Sequence, residues 1–482
     1  MESNLSKHKK SHYAAIKSGK LKQTGTGTGN GRMNTSKKHV TASGAINQSV
    51  SNTIRKILLF FTVLSSCLVP RWYLLPLTGV SIHHIRVSIF CFSLFLLVLL
   101  TVVFRSVKDA TLRGKKDLLV FGIWTAVSAL LIIKTERFGE SVQTQYYLFL
   151  GLLSVFVMNM AIRDMESVKI CLGAIFCGVF LHLAVGSLEI INQNHFFSTG
   201  LNDTLSVWIK PVSIFFNNND YGTFIVVLLP LAVAFLRMAT KGVFLRLFAV
   251  FFSAAALAVV IYAQSDTLVL CSALVFLALT AIFLKKKYGN AILARFFIVL
   301  FAVGAVGGFV FRSAIQNRLE EFIQSERCRV NLIRNGFLFL WDSKGLGIGY
   351  GNMQNYLEFR SEYDVYGIYF FHNWYLEILF CGGVISFIAY LLFHFAKIRT
   401  LFALSILRKT EFRSVAGKAE YDPSILLLIS FLIFTVACIS SSSNLYSEWL
   451  WMYFGLISAY TNLLAAKNKK KGVRINEQQQ PY

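Results

Sequence analysis

Six arginines, Arg312, Arg318, Arg327, Arg329, Arg334 and Arg360, fall in one polar stretch, 312–373. The same stretch runs into Phe371-His372-Asn373-Trp374-Tyr375-Leu376-Glu377. Guanidinium is planar and offers paired donors suited to phosphate oxygens, so an anionic group such as a diphosphate is one ligand for this cluster. Solvated pairing with Glu320, Glu321, Glu326, Glu358, Glu362 and Asp364 is the other reading of the same composition. An imidazole titrates near neutrality, so His372 near Arg329 could serve as a base or proton relay. A histidine followed by Trp374 and Tyr375 also fits an interfacial aromatic belt.

Other candidates carry less chemistry. Gly345-Leu346-Gly347-Ile348-Gly349-Tyr350-Gly351-Asn352 superficially matches a dinucleotide fingerprint, but it lacks a βαβ setting and the GK[ST] ending of a phosphate loop. Alternating glycine there suits a tight turn and close backbone packing. Asp220, after Asn217-Asn218-Asn219, reads as a helix cap, and no metal site is expected. His182 and Glu189 lie inside an apolar run and are functional candidates without a named partner. The eight cysteines form no CxxC and read as small buried hydrophobes, except Cys328 in its arginine-rich setting.

The elements that position these residues are membrane helices. The 482-residue chain is 55% hydrophobic and only 15% charged, which places it in the membrane class. Apolar runs of roughly spanning length occur near 56–76, 87–104, 118–134, 146–162, 168–190, 221–238, 244–263, 267–284, 292–311, 374–396, 425–441 and 448–466. About twelve spans put 36 of the 48 Lys and Arg on one side, including Lys397–Lys418 and both tails. The +24 net charge is then mainly a topology signal, and no nucleic-acid partner is expected. The expected organisation is a basic, disordered cytoplasmic tail over 1–53 and a transmembrane domain over 54–466, with a basic cytoplasmic tail over 467–482. External loops fall at about 191–220 and 312–373. The first apolar run acts as an uncleaved anchor, and membrane lipid is a partner.

Taken in order, Arg329-Val330-Asn331-Leu332, Trp341, Gly347-Ile348-Gly349-Tyr350-Gly351-Asn352 and His372-Asn373-Trp374-Tyr375-Leu376-Glu377-Ile378-Leu379, with Gly383 after them, resemble the O-antigen ligase and repeat-unit polymerase superfamily. Phe215-Phe216-Asn217-Asn218-Asn219-Asp220-Tyr221-Gly222, before a run containing Pro230, matches an upstream box of that superfamily. The resemblance covers roughly 190–395. The chain departs from the pattern at Asn218, where Pro is common, and at Ser386, the second Gly of G-x-x-G. It departs again at Ser265-Asp266, where many members have Ser-Arg.

The resemblance implies an all-α polytopic membrane glycosyltransferase of GT-C-like architecture with a helical external loop. It implies metal-independent, inverting transfer without a cofactor, on the outer face of a bacterial plasma membrane. The substrate would be an undecaprenyl-diphosphate-linked oligosaccharide, and a chain-length regulator and a flippase would be partners. Arg329 is expected at the diphosphate, with Arg327 and Arg334 as helpers; a helix starting near Arg329 would put Arg334 about 140° around the axis from Arg329, away from the same phosphate, whereas Arg327 lies before the helix and turns inward. His372 is expected to activate the acceptor or contact the diphosphate. Asn373, Tyr375, Gly347, Gly349, Asn217 and Asn219 are expected around the substrate. A polymerase is preferred over a ligase because the external loop is short. A transporter of the same lipid is disfavoured, because no repeat relates the halves and the polar motifs sit at the edge. A non-catalytic scaffold would leave the arginines and His372 without a role.

Overall fold

The computed structural model describes residues 52–68, 73–76, 86–103, 114–196, 209–215, 217–239, 242–263, 265–310, 312–407, 412–413, 419–420, 422–439, 441 and 444–478. The chain divides into two units, Met1–Asn52 and Thr53–Tyr482. The tail expected over 1–53 lies almost wholly outside the described residues, as do 197–208 of the first expected loop.

The second unit is helical apart from two short antiparallel ladders, Tyr73–Pro76 with Arg86–Ser88 and Phe412–Arg413 with Ala419–Glu420. Its described helices are α1 (through 53–67), α2 (Ile89–Val103), α3 (Lys115–Leu131), α4 (Phe138–Ala161), α5 (Met165–Asn192), α6 (Asn218–Ala239) and α7 (Val243–Tyr262). They continue as α8 (Asp266–Tyr288), α9 (Asn290–Val310), α10 (Arg312–Asp342), α11 (Met353–Phe359), α12 (Trp374–Phe402), α13 (Ser424–Ala437) and α14 (Glu448–Gln478). The expected apolar runs overlap these helices, but the first, 56–76, is helical only through 67 and takes in the strand Tyr73–Pro76. Among the described residues six helices are long and apolar enough to cross a membrane, and shorter apolar helical stretches occur at Ile89–Leu100, Asp266–Ile282, Asn290–Leu300 and Ser424–Ala437. The last helix does not stop near 466 but continues to Gln478.

Packing centres on α4 against α14 and α3 against α12, with α6 meeting α5 and α13. Small residues permit the first contact: a Cβ on Gly151 would lie 2.4 Å from the Trp451 ring. A buried polar cluster ties α3, α4, α12 and α14 together. Lys397 Nζ donates to Asp117 Oδ2 at 2.6 Å, and Asn462 Nδ2 donates to the same oxygen at 2.8 Å. Asn159 Nδ2 donates to Ser458 Oγ at 2.8 Å. Lys397, expected among solvent-side topology charges, is 4% exposed and neutralises a buried carboxylate instead.

His182 and Glu189 also gain partners. His182 Nε2 donates to the Cys67 carbonyl at 2.7 Å, and its Nδ1 lies 3.0 Å from Ser213 Oγ. Glu189 Oε2 accepts from the Val212 and Ser213 amides at 2.9 and 2.8 Å. Both side chains fix the segment entering α6. Five of the eight cysteines are buried, and Cys328 is half-buried.

The largest departure from expectation is α12, which is two arms rather than one rod. Gly383 is non-helical, with φ 77° and ψ 175°. A continuous helix would separate residues 374 and 390 by roughly 24 Å, yet the Trp374 and Tyr390 rings are 5.9 Å apart. Tyr375 likewise lies 6.0 Å from Tyr390. The first arm, 374–382, therefore folds back along the second, 384–402. The second arm runs antiparallel to α3, from Lys397 at Asp117 through Phe393 at Phe121 to Tyr390 at Trp124. His394 joins the arms to α13: its Nδ1 is 3.3 Å from the Tyr390 hydroxyl and its Nε2 is 2.9 Å from Thr435 Oγ1.

Candidate functional site

The sharp bend at Gly383 leaves carbonyls at the end of the first arm without helical partners. The glycine-rich turn supplies them. Ile348 N donates to the Phe380 carbonyl at 2.9 Å, Gly349 N to that of Cys381 at 3.0 Å, and Val384 N to Gly345 O at 2.9 Å. Gly345, Gly347, Gly349 and Gly351 all have positive φ, and a Cβ on Gly347 would stand 2.5 Å from Gly383 N. Only glycine allows both the conformation and the approach. Asn352, fully buried, anchors the turn: its Oδ1 accepts from Thr135 Oγ1 at 2.8 Å and Glu136 N at 3.2 Å. Arg360, one of the six arginines, bonds Glu136 and lies over the Tyr356 ring.

Gly347 and Gly349, expected among substrate contacts, are thus buried in this joint. Their amides are already donated, Gly347 N to Ser343 Oγ at 3.1 Å and Gly349 N to Cys381. The packing role read from the alternating glycines is the one they fill.

Helix α10 then presents the arginines. It was expected to begin near Arg329, but runs unbroken from Arg312 to Asp342. Arg327 therefore lies inside it, about 200° around the axis from Arg329, and is exposed rather than turned inward. Asn331 and Asn335, one turn apart, grip the chain that leads to His372. Asn335 Oδ1 accepts from the Glu362 and Tyr363 amides, both at 3.0 Å, and Asn331 Nδ2 donates to Asp364 O at 2.9 Å. Arg334 sits 5.4 Å above the centre of the Tyr363 ring. Phe371 is buried against Phe380, with centroids 4.9 Å apart.

These anchors deliver His372 half-buried, with φ 48°. That left-handed conformation is sparse for a residue with a Cβ, and the following cap and the buried Phe371 hold it. Burial first, and the Arg329 charge second, push the His372 imidazole below its ordinary pKa of 6.5. The ring is therefore neutral at neutral pH, with one nitrogen free to accept a proton. Arg329 is half-buried and close enough for its charge to act on that ring.

Asn373 and Tyr375 are committed to the framework rather than open to substrate. Asn373 caps α12, its Oδ1 accepting from Tyr375 N at 3.0 Å and Leu376 N at 3.2 Å. The Tyr375 hydroxyl donates to Thr435 O at 3.0 Å. Asn217, not Asp220, caps α6: its Oδ1 accepts from Asp220 N at 2.7 Å. Asn219 is half-buried. Asn218 Nδ2 donates to Ala263 O at 2.8 Å, closing the end of α7 beside Ser265-Asp266.

The charge of Arg329 thus acts on His372, while Arg327 is exposed on another side of α10. Two groups outside the expected site also interact, Asp220 from α6, expected only as a helix cap, and Glu377 from α12, whose charges act on each other. Glu377 stood in the quoted motif, four residues after Asn373, but only the fold-back of α12 shows what it meets.

Residues 249–391 match the O-antigen ligase family. The chain is also similar to the teichuronic acid biosynthesis protein TuaE of Bacillus subtilis (strain 168), with 26% identity over 396 residues, covering 77% of this chain and 80% of that protein.

Proposed function

From the match of residues 249–391 to the O-antigen ligase family and the similarity to a teichuronic acid biosynthesis protein, we propose that this chain polymerises undecaprenyl-diphosphate-linked repeat units into a surface polysaccharide. The protein is membrane-embedded, and its kind of function is surface-polysaccharide assembly. The observation that carries the finer reading is the pairing of a neutral, half-buried His372 with Arg329. Both tails and the basic loops face the cytoplasm in this reading, so the site opens to the outer face.

Transfer is then a single displacement. The acceptor hydroxyl oxygen attacks the anomeric carbon and the bond from that carbon to the diphosphate breaks. The electron pair leaves with undecaprenyl diphosphate, and the hydroxyl proton passes to the His372 imidazole. Arg329 offsets the charge gathering on the departing diphosphate. Inversion follows from one displacement. We propose that neither metal nor cofactor takes part, so chelators should leave the rate unchanged.

A deletion strain tests the polymerase reading. Loss of long chains with single repeat units still reaching the surface is expected. Full-length chains accumulating on undecaprenyl diphosphate would instead make this a ligase. The folded-back α12 also favours a second reading, since transporters use interrupted helices at their substrate sites. For a flippase, lipid-linked units would collect on the cytoplasmic side.

The pH profile carries its own signature. A base whose pKa is lowered keeps its acceptor form as pH falls through 6.5, and loses it only below. The acid limb of kcat/KM should therefore lie below pH 6.5 in the wild type. In Arg329→Gln one of the two causes is gone, so the limb should move up toward 6.5. An unmoved limb would detach His372 from Arg329.

A further inference from the structure

Glu377 sits one helical turn inside Asn373 and is only 6% exposed. Among the described residues its carboxylate meets no hydrogen-bond donor and no cation; the charge that reaches it is that of Asp220. Asp220 is partly satisfied, its Oδ2 accepting from Asn217 Nδ2 at 2.7 Å. Its Oδ1 lies 3.0 Å from Ser441 Oγ, and Ser441 Oγ lies 3.0 Å from Asn444 Oδ1 as well. One hydroxyl proton cannot serve both acceptors.

Asn444 adds an independent sign of a missing partner. It is 2% exposed, and its Nδ2 has no partner among the described residues. Turning the amide over would satisfy nitrogen through Ser441 and leave the oxygen open instead. Either way one polar end of a buried side chain faces nothing. A buried amide end without a partner is unfavourable, and persists where a ligand completes it.

We propose that Asp220, Glu377 and Asn444 form a sugar-hydroxyl subsite that holds the acceptor glycan beside His372. The inference rests on the glycosyl-transfer reading above. Ring hydroxyls are neutral donors, and each carboxylate can take two of them. The open end of the Asn444 amide supplies the complementary bond. Glu377 lies on the arm that begins two residues after His372.

The experiment uses the full chain in lipid nanodiscs. Radiolabelled lipid-linked polymer is the fixed donor. Undecaprenyl-diphosphate-linked single repeat units, extracted from the producing strain, are titrated as acceptor. Glu377→Gln and Asp220→Asn should each raise the acceptor KM by roughly 10–100-fold, the loss expected for a hydrogen bond to a charged group. Undecaprenyl diphosphate binding, read by tryptophan fluorescence, should stay at the wild-type affinity. Unchanged acceptor KM in both variants would overturn the subsite while leaving the transfer reading intact. Joint loss of undecaprenyl diphosphate binding would assign the pair to the framework and also overturn it. Absence of transfer by the wild type would sink both readings.

Discussion

His372→Asn should insert and fold normally yet transfer glycan roughly 10²–10⁴ times more slowly, the usual worth of a positioned general base. Asparagine is the informative replacement because His372 has φ 48°. Asn tolerates that left-handed conformation, whereas Ala would add a backbone penalty. The amide cannot accept a proton at neutral pH, so the variant removes the chemistry and keeps the turn. Arg329→Gln should lose roughly 10²–10³, the range seen when one charge-stabilising group is removed. The two effects differ in kind. Removing the arginine moves the acid limb of the pH profile; removing the histidine abolishes that limb. Gel ladders of surface polysaccharide and rates in nanodiscs both read the outcome, and normal chain length in either variant would remove that residue from the site.

Gly383→Ala is expected to have the largest effect on stability, about 2–6 kcal/mol. Two causes add. The backbone, at φ 77° and ψ 175°, lies in a region essentially reserved for glycine, at a cost of about 1–3 kcal/mol for another residue. The new Cβ would also stand 2.2 Å from the Leu346 carbonyl oxygen, and such overpacking costs about 1–3 kcal/mol more. Gly289→Ala separates the two. Gly289 has a similar backbone, φ 81° and ψ −172°, but a Cβ there meets nothing within 4 Å. It should show the conformational cost alone. Thermal denaturation in detergent measures both variants. Equal shifts would mean that the glycine turn and the bend of α12 are not a tight joint.

The helices were legible because their signal is local. Each apolar run is a property of its own residues. The fold-back of α12 was not legible, since residues 374–396 are equally apolar whether straight or bent. Its trace in the sequence is Gly382-Gly383 together with four alternating glycines some thirty residues earlier. The close packing read from those glycines was right, but the backbone they approach could not be identified. Lys397 misled for a related reason. A lysine following an apolar run reads as a topology charge, and only the fold shows that Asp117, 280 residues away, pairs with it. Arg327 was misplaced because a helix boundary was set at Arg329, while α10 begins fifteen residues before Arg327. Sequence order suggested Arg329 and His372 as one site, and the chain gripped by Asn331 and Asn335 is what carries His372 to it. Asp220 and Glu377 were each visible but not their meeting, which depends on how α6 and the first arm of α12 pack.

The most direct test is transfer by the purified protein in nanodiscs, given extracted undecaprenyl-diphosphate-linked repeat units and nothing else. The account predicts lipid-linked chains of increasing length, release of undecaprenyl diphosphate in step with each bond formed, and neither product from His372→Asn. Repeat units that remain single with the wild type, or chains that grow as well with His372→Asn, would contradict it.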